Sequence, residues 1–276
     1  MALLLSFRSA PRAGSVLRDP QMLQGDGLVD AVRLKLLDRF PSDAIAGREV
    51  VFATHGFNVT YEEGVHELAR LEHELNLPGT FAFIGVLWPG DWWIPAVNYP
   101  AEADDAVACG RNLARFVNRT LALAAGVSFV SHSLGARVVL EAVKRLDRPA
   151  RQVCVLAAAA DDDCLTTTQY DAARRNARSI DVLASRGDWV LRLAYPAGDF
   201  LSDVFYDDDA LARAALGYHG PRPFPPEHAV HAQIPGTAYG HHDYFPPSRL
   251  DDPIGKQAAP IRWISETLRG LPPAWP

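Results

Sequence analysis

Between Val127 and Leu146 an apolar, β-branched run passes through Ser131-His132-Ser133-Leu134-Gly135 straight into a stretch with Val138, Val139, Leu140, Val143 and Leu146 at helical spacing. A strand that enters a helix without an intervening loop is half of a βαβ unit. The rest of the chain has the same rhythm. Short runs at Glu49 to Thr54, Thr80 to Leu87, Val127 to Ser131, Arg151 to Ala158, Ser179 to Ala184 and Ala229 to Ile234 are mostly apolar on both faces, as strands sandwiched between helix layers must be. Helical stretches at Tyr61 to Leu77, Ala101 to Ala125, Leu134 to Leu146 and Ala258 to Leu268 alternate with them. The expected class is α/β, a mostly parallel sheet with helices on both faces.

At 276 residues the chain can bury a sizeable core, and with no internal repeat or low-complexity linker it reads as one domain over residues 1–276. Met1 to Leu5 reads as a first strand, since Arg8 cuts the apolar run too early for a secretory signal. A helix is expected over Leu28 to Phe40. Residues 195–226, rich in Pro, Gly, Asp and aromatics, are too long for an ordinary connection and are expected to form an excursion or cap-like insertion.

Composition removes several classes of function. With 27 Lys and Arg against 33 Asp and Glu, the net charge of −6 repels polyanions, so a nucleic-acid partner is not expected. No run approaches the ~20 apolar residues of a membrane span. Cys109, Cys154 and Cys164 form no CxxC pair, and three scattered cysteines suit a reducing, cytoplasmic compartment. Nothing in the sequence sets an oligomeric state.

The turn at Ser131 to Gly135 carries the strongest chemical signal. A serine on a tight strand-to-helix turn projects its hydroxyl outward, and small residues two before and two after it allow strand and helix to approach. Ser133 is therefore the candidate nucleophile, with Ser131 standing where G-x-S-x-G has its first glycine. The competing reading is a serine that only caps a helix. Upstream, His55-Gly56-Phe57-Asn58 closes another strand, and the N–H groups of Phe57 and Leu134 are the candidate oxyanion donors.

A serine nucleophile needs a base, and the base an orienting carboxylate. In the order serine, acid, histidine, Asp188 follows a late strand and is the leading acid, with Asp161 and Asp163 after the preceding strand as rivals. Of nine histidines, His241 and His242 lie just past the last strand and compete for the base. A metal held by His241, His242 and Asp243 is set aside, because adjacent side chains rarely converge on one ion. The chemistry requires no cofactor.

The H-G-F-N, S-H-S-L-G, Gly-Asp and H-D-Y segments resemble the α/β-hydrolase superfamily, and H-G-F-N-V-T-Y-E-E, L-W-P-G and V-S-H-S-L-G-A-R look like one bacterial branch of its serine hydrolases. That resemblance, from about Glu49 to Tyr244, implies the α/β-hydrolase fold. It also implies a base of the form histidine, any residue, then Tyr or Phe, which favours His242. The expected function is hydrolysis of a small-molecule carboxylic ester through an acyl-enzyme, by a carboxylesterase or lipase-like enzyme. Amide or thioester cleavage, acyl transfer, or a silent binding protein on the same fold are the alternatives. Trp88, Trp92, Trp93 and Tyr99 are expected either to line a substrate pocket or to pack a helix onto the sheet.

Overall fold

The computed structural model describes residues 2–11, 14–29, 33–91, 99–194, 214–224, 227, 229–272 and 275. The first three strands, β1 (Ala2–Arg8), β2 (Val16–Asp26) and β3 (Arg33–Leu36), form an antiparallel ribbon. Six further strands follow: β4 (Glu49–Thr54), β5 (Phe81–Leu87), β6 (Gly126–His132), β7 (Ala150–Leu156), β8 (Ala177–Ser185) and β9 (Ala229–Ile234). The nine strands make one sheet in the order β3-β2-β1-β5-β4-β6-β7-β8-β9, parallel from β1 to β9.

The helices are α1 (Tyr61–Leu75), α2 (Tyr99–Thr120), α3 (Gly135–Val143), α4 (Asp171–Arg175), α5 (Leu216–His219) and α6 (Ala258–Leu268). Thr60 and Glu63 cap the start of α1 reciprocally, and Asn76 ends it in the left-handed region with φ of 42°. All six residues of β4 are buried, which is why that segment is apolar on both faces rather than alternating. This is the α/β-hydrolase fold.

The sequence places β4 and β9 to the residue and β5 to β8 to within two residues at each end, while β1 runs three residues past the expected Leu5, to Arg8. Among the described residues of Leu28 to Phe40, the expected helix does not form. Residues 33–36 instead pair with β2 in the register Leu23↔Leu36 to Asp26↔Arg33, so a neighbouring strand overrides the local pattern. Of the expected excursion, residues 195–213 and 225–226 lie outside the described residues. The part over residues 214–224 returns past the end of β7, with Asp161 bridging Ala215 before the short helix α5.

The strand order runs outward in both directions from β4, to β5 on one side and to β6 on the other. At such a switch point the connections diverge and leave a crevice at the carboxyl ends of the strands. His55 to Asn58 leave β4 there, and Ser133 leaves β6 beside them. The fit is tight, because α3 starts almost on top of β4: a Cβ on Gly135 would lie 2.5 Å from the His55 carbonyl oxygen and 3.0 Å from Thr54 Cγ2. Gly135→Ala should therefore lose about 1–3 kcal/mol of stability in urea unfolding. The same change at Gly79, where a Cβ would meet nothing within 4 Å, should stay within about 0.5 kcal/mol.

Candidate active site

Ser133 has φ of 53°, in the left-handed region that a residue with a side chain enters at a cost. The turn is over-determined by backbone bonds. Ser133 N–H donates to the Leu156 carbonyl at 3.0 Å, and the Ser133 carbonyl accepts from Ala136 at 3.0 Å and Ala159 at 3.1 Å. The end of β7, the loop beyond it and the first turn of α3 thus hold the strained residue in place. The result is a serine at the mouth of α3, with the Leu134 N–H among the first donors of the helix, which have no partner within it.

Two further side chains form a row with that serine. His241 Nε2 lies 2.8 Å from Ser133 Oγ, and His241 Nδ1 lies 2.8 Å from Asp188 Oδ2. Asp188 is fully buried, and its other oxygen accepts from the Leu191 N–H at 3.0 Å. The carboxylate therefore has a donor on each oxygen, which offsets its loss of hydration. With a carboxylate accepting at Nδ1, that nitrogen carries the proton and Nε2 faces the hydroxyl as an acceptor.

The histidine in this row is His241, and the expectation of His242 is corrected. Asp243 Oδ2 accepts from the Gly240 N–H at 2.8 Å, and the Asp243 N–H donates to the Gly240 carbonyl at 3.2 Å, closing a turn over residues 240–243. That turn sends the His241 ring inward and leaves His242 exposed, with the two rings perpendicular at 83°. The carboxylate at His241 belongs to Asp188 and not to Asp161 or Asp163. Gly187 has a packing role: a Cβ there would collide with the carbonyls of Thr237 and Tyr239, so the glycine lets the Asp188 loop lie against the His241 loop. Ser185 Oγ ties the same two loops by donating to the Tyr239 carbonyl at 2.9 Å.

Gly56 touches the turn from the other side. A Cβ on it would stand 3.0 Å from Ser133 Cβ and 3.0 Å from His132 Nδ1, which places the Phe57 end of the loop next to the serine. His55 is structural. Its Nδ1–H donates to the Gly56 carbonyl at 2.9 Å, its Nε2 accepts from the Trp88 N–H at 3.3 Å, and its ring stacks on the Trp88 indole. Trp88 is therefore core rather than pocket lining, with its Nε1–H donating to the His55 carbonyl at 3.0 Å. Trp92 and Trp93 lie outside the described residues, as does the side chain of Tyr99.

Two further side chains support the site. His132 Nε2–H donates to the His241 carbonyl at 2.8 Å, joining the serine turn to the backbone of the base. Its place inside S-H-S-L-G was the available signal. Arg8 reaches from the end of β1 into an ion pair with Asp91 at 2.5 Å, and its guanidinium also donates to the carbonyls of Trp88, at 3.1 Å, and Val59, at 3.3 Å. Both charged groups are buried, so the pair fastens the two loops beyond β4 and β5 to the first strand. No local pattern announces such a partner.

Residues 35–198 match a family model described as "Alpha/beta hydrolase of unknown function (DUF900)". The chain belongs to that family. The matched span of this alpha/beta hydrolase holds Ser133 and Asp188, while His241 lies beyond it. Esterase B from Lactobacillus rhamnosis is similar at 10% identity and a TM-score of 0.46, over 90% of this chain and 86% of that one. Carboxyl esterase 2 from the fungus Tuber melanosporum is similar at 13% identity and a TM-score of 0.45, over 82% and 79% respectively. No curated protein matches the sequence. Among the described residues, no helix is long and apolar enough to cross a membrane.

Burial sets the charge state of the supporting histidines. It lowers His55 to about 3, and it holds His132 well below its usual value with the neighbouring His241 acting in the same direction. Both are neutral at pH 7 and disfavour a proton in the folded state. The unfolded chain binds that proton near pH 6.5, so the stability each contributes is complete above 6.5 and is lost as the pH falls towards the folded value. The stability advantage of the unmodified protein over His55→Gln should therefore shrink by about 1.4 kcal/mol per pH unit below 6.5. Urea unfolding of both proteins between pH 7 and 5 reads this difference, and an advantage independent of pH would contradict a neutral, buried His55.

Proposed function

We propose that this hydrolase cleaves carboxylic esters through a covalent acyl-serine. The observation that carries the reading is the row from Asp188 through His241 to Ser133, with 2.8 Å at each step and its serine on a left-handed strand-to-helix turn. A cap serine would need neither the strain nor a histidine at its hydroxyl.

In the proposed cycle Ser133 Oγ attacks the ester carbonyl carbon as its proton passes to His241 Nε2. The N–H groups of Phe57 and Leu134 receive the charge on the carbonyl oxygen. Asp188 holds the imidazolium and keeps Nδ1 protonated. When the tetrahedral intermediate collapses, the bond to the alcohol oxygen breaks, and His241 returns its proton to that oxygen. Water then enters by the same route, giving up a proton to His241 and releasing the acid with Ser133 restored.

Turnover of short-chain 4-nitrophenyl esters, with fluorophosphonate labelling to mark the nucleophile, tests each role. Ser133→Ala should lose roughly 10⁴ or more in turnover and all labelling. His241→Ala should abolish acylation at neutral pH, whereas His242→Ala should keep at least about a tenth of it, because the exposed ring touches neither Ser133 nor Asp188. Labelling that survives in folded Ser133→Ala would refute the nucleophile. Asp188→Asn should cost roughly 10³ to 10⁴ by offering His241 a donor where an acceptor is needed. A crippling Asp163→Asn beside a mild Asp188→Asn would move the acid to the earlier strand.

A further inference from the structure

Beside the site, a cavity of about 470 Å³ runs from His241 and Phe57 to the flank of α1. One wall is the loop that follows His241, and that wall is held rigidly: the buried Arg70 guanidinium donates to the carbonyls of Pro247, Arg249 and Asp252 at 2.6–2.7 Å. The opposite wall carries Glu63 and Glu67, one turn apart on α1. They differ in state. Glu63 is engaged by Thr60, whose N–H and hydroxyl both donate to it, at 2.9 and 2.7 Å. Glu67 lines the cavity with only 7% of its surface exposed, and among the described residues it has no hydrogen bond and no ion pair.

A carboxyl group in that position needs a reason, because burying it without a donor is costly and an apolar residue would pack the helix face better. The other charges facing the cavity do not neutralise it. Asp243 and Asp252 add negative charge, and Asp243 is taken by the Gly240 N–H and by Lys256 Nζ. Arg249 is the lining arginine, exposed at the rim, and no lysine lines the space. His132 is neutral, His242 is exposed, and the charge on His241 is transient in the proposed cycle. Phe57 and Phe245 supply the apolar surface.

We infer that this cavity receives an ammonium group carried by the acyl or alcohol half of the ester, with the Glu67 carboxylate as its counter-ion. The substrate assignment rests on the hydrolase reading, but the cation site itself does not. Burial, with Glu63 next to it, raises Glu67 to about 8. A bound cation favours the carboxylate, so binding near neutral pH expels the proton. Affinity for an alkylammonium must then rise as the pH climbs towards 8, while affinity for a neutral alcohol of the same length stays flat.

Calorimetric titration of the unmodified protein with hexylammonium and with 1-hexanol tests this without turnover. Hexylammonium should bind at least tenfold more tightly at pH 8.5 than at 6.5, and measurements at pH 7 in buffers of different ionisation heat should show release of close to one proton. In Glu67→Gln both the pH dependence and the preference over 1-hexanol should vanish. Equal affinity for the two probes, no proton release, or a preference that persists in Glu67→Gln would overturn the site. For the substrate, kcat/KM for 4-nitrophenyl 6-aminohexanoate is compared with the heptanoate, and for the acetate of 5-aminopentanol with that of hexanol. An ammonium preference of at least tenfold in either pair supports the assignment. Equal rates in both pairs would overturn it while leaving ester hydrolysis standing. Cation binding with no turnover of any ester would support the site and refute the hydrolase reading.

Discussion

Everything in the site depends on how closely the start of α3 is pressed against the end of β4. Gly135 lies on the His55 carbonyl and Gly56 lies on Ser133, so two backbones meet with no side chain between them. At that separation a serine stands in a left-handed turn directly beside the loop that leaves β4. The strain on Ser133 is held by carbonyl and amide partners from β7 and the residues beyond it. The rest of the sheet acts as a frame that keeps this contact from relaxing.

Around it the protein separates its histidines by charge. His55 and His132 are within reach of the same turn as His241, yet each gives an N–H to a main-chain carbonyl and is buried too deeply to accept a proton. Their task is geometric: one fixes the loop after β4 and the other fixes the backbone of His241. The ring of His241 is the one set between a carboxylate and a hydroxyl. A cluster of imidazoles could have shared a proton diffusely, but here two of the three are removed from the competition by desolvation.

How far the sequence spoke for the structure follows from the range of the forces involved. The parallel strands and the serine turn are set by local pattern and by close packing at Gly135, and both are legible in a single sequence. The choice between His241 and His242 depends on a turn that the Asp243 carboxylate closes onto Gly240, which reverses the facing of two adjacent residues that composition cannot distinguish. Residues 28–40 mislead because pairing of 33–36 with β2 decides their state, and that partner is distant in pattern if not in sequence. Arg8 and Asp91 meet across most of the first third of the chain, and neither carries a local mark of the other.

The buried Arg8 pair also bears on where this protein could be cut. The span 35–198, which carries the family match, holds the serine and the acid but omits β1 and β2 on one flank and β9 on the other. Excised, it would turn β5 and β8, both largely buried here, into open edges with apolar surface and unpaired amides. Asp91 would be left without its arginine. The stretch that is recognisable as a family is therefore smaller than the stretch that can stand alone, and the outer strands are as much part of the enzyme's wall as the loops that touch the serine.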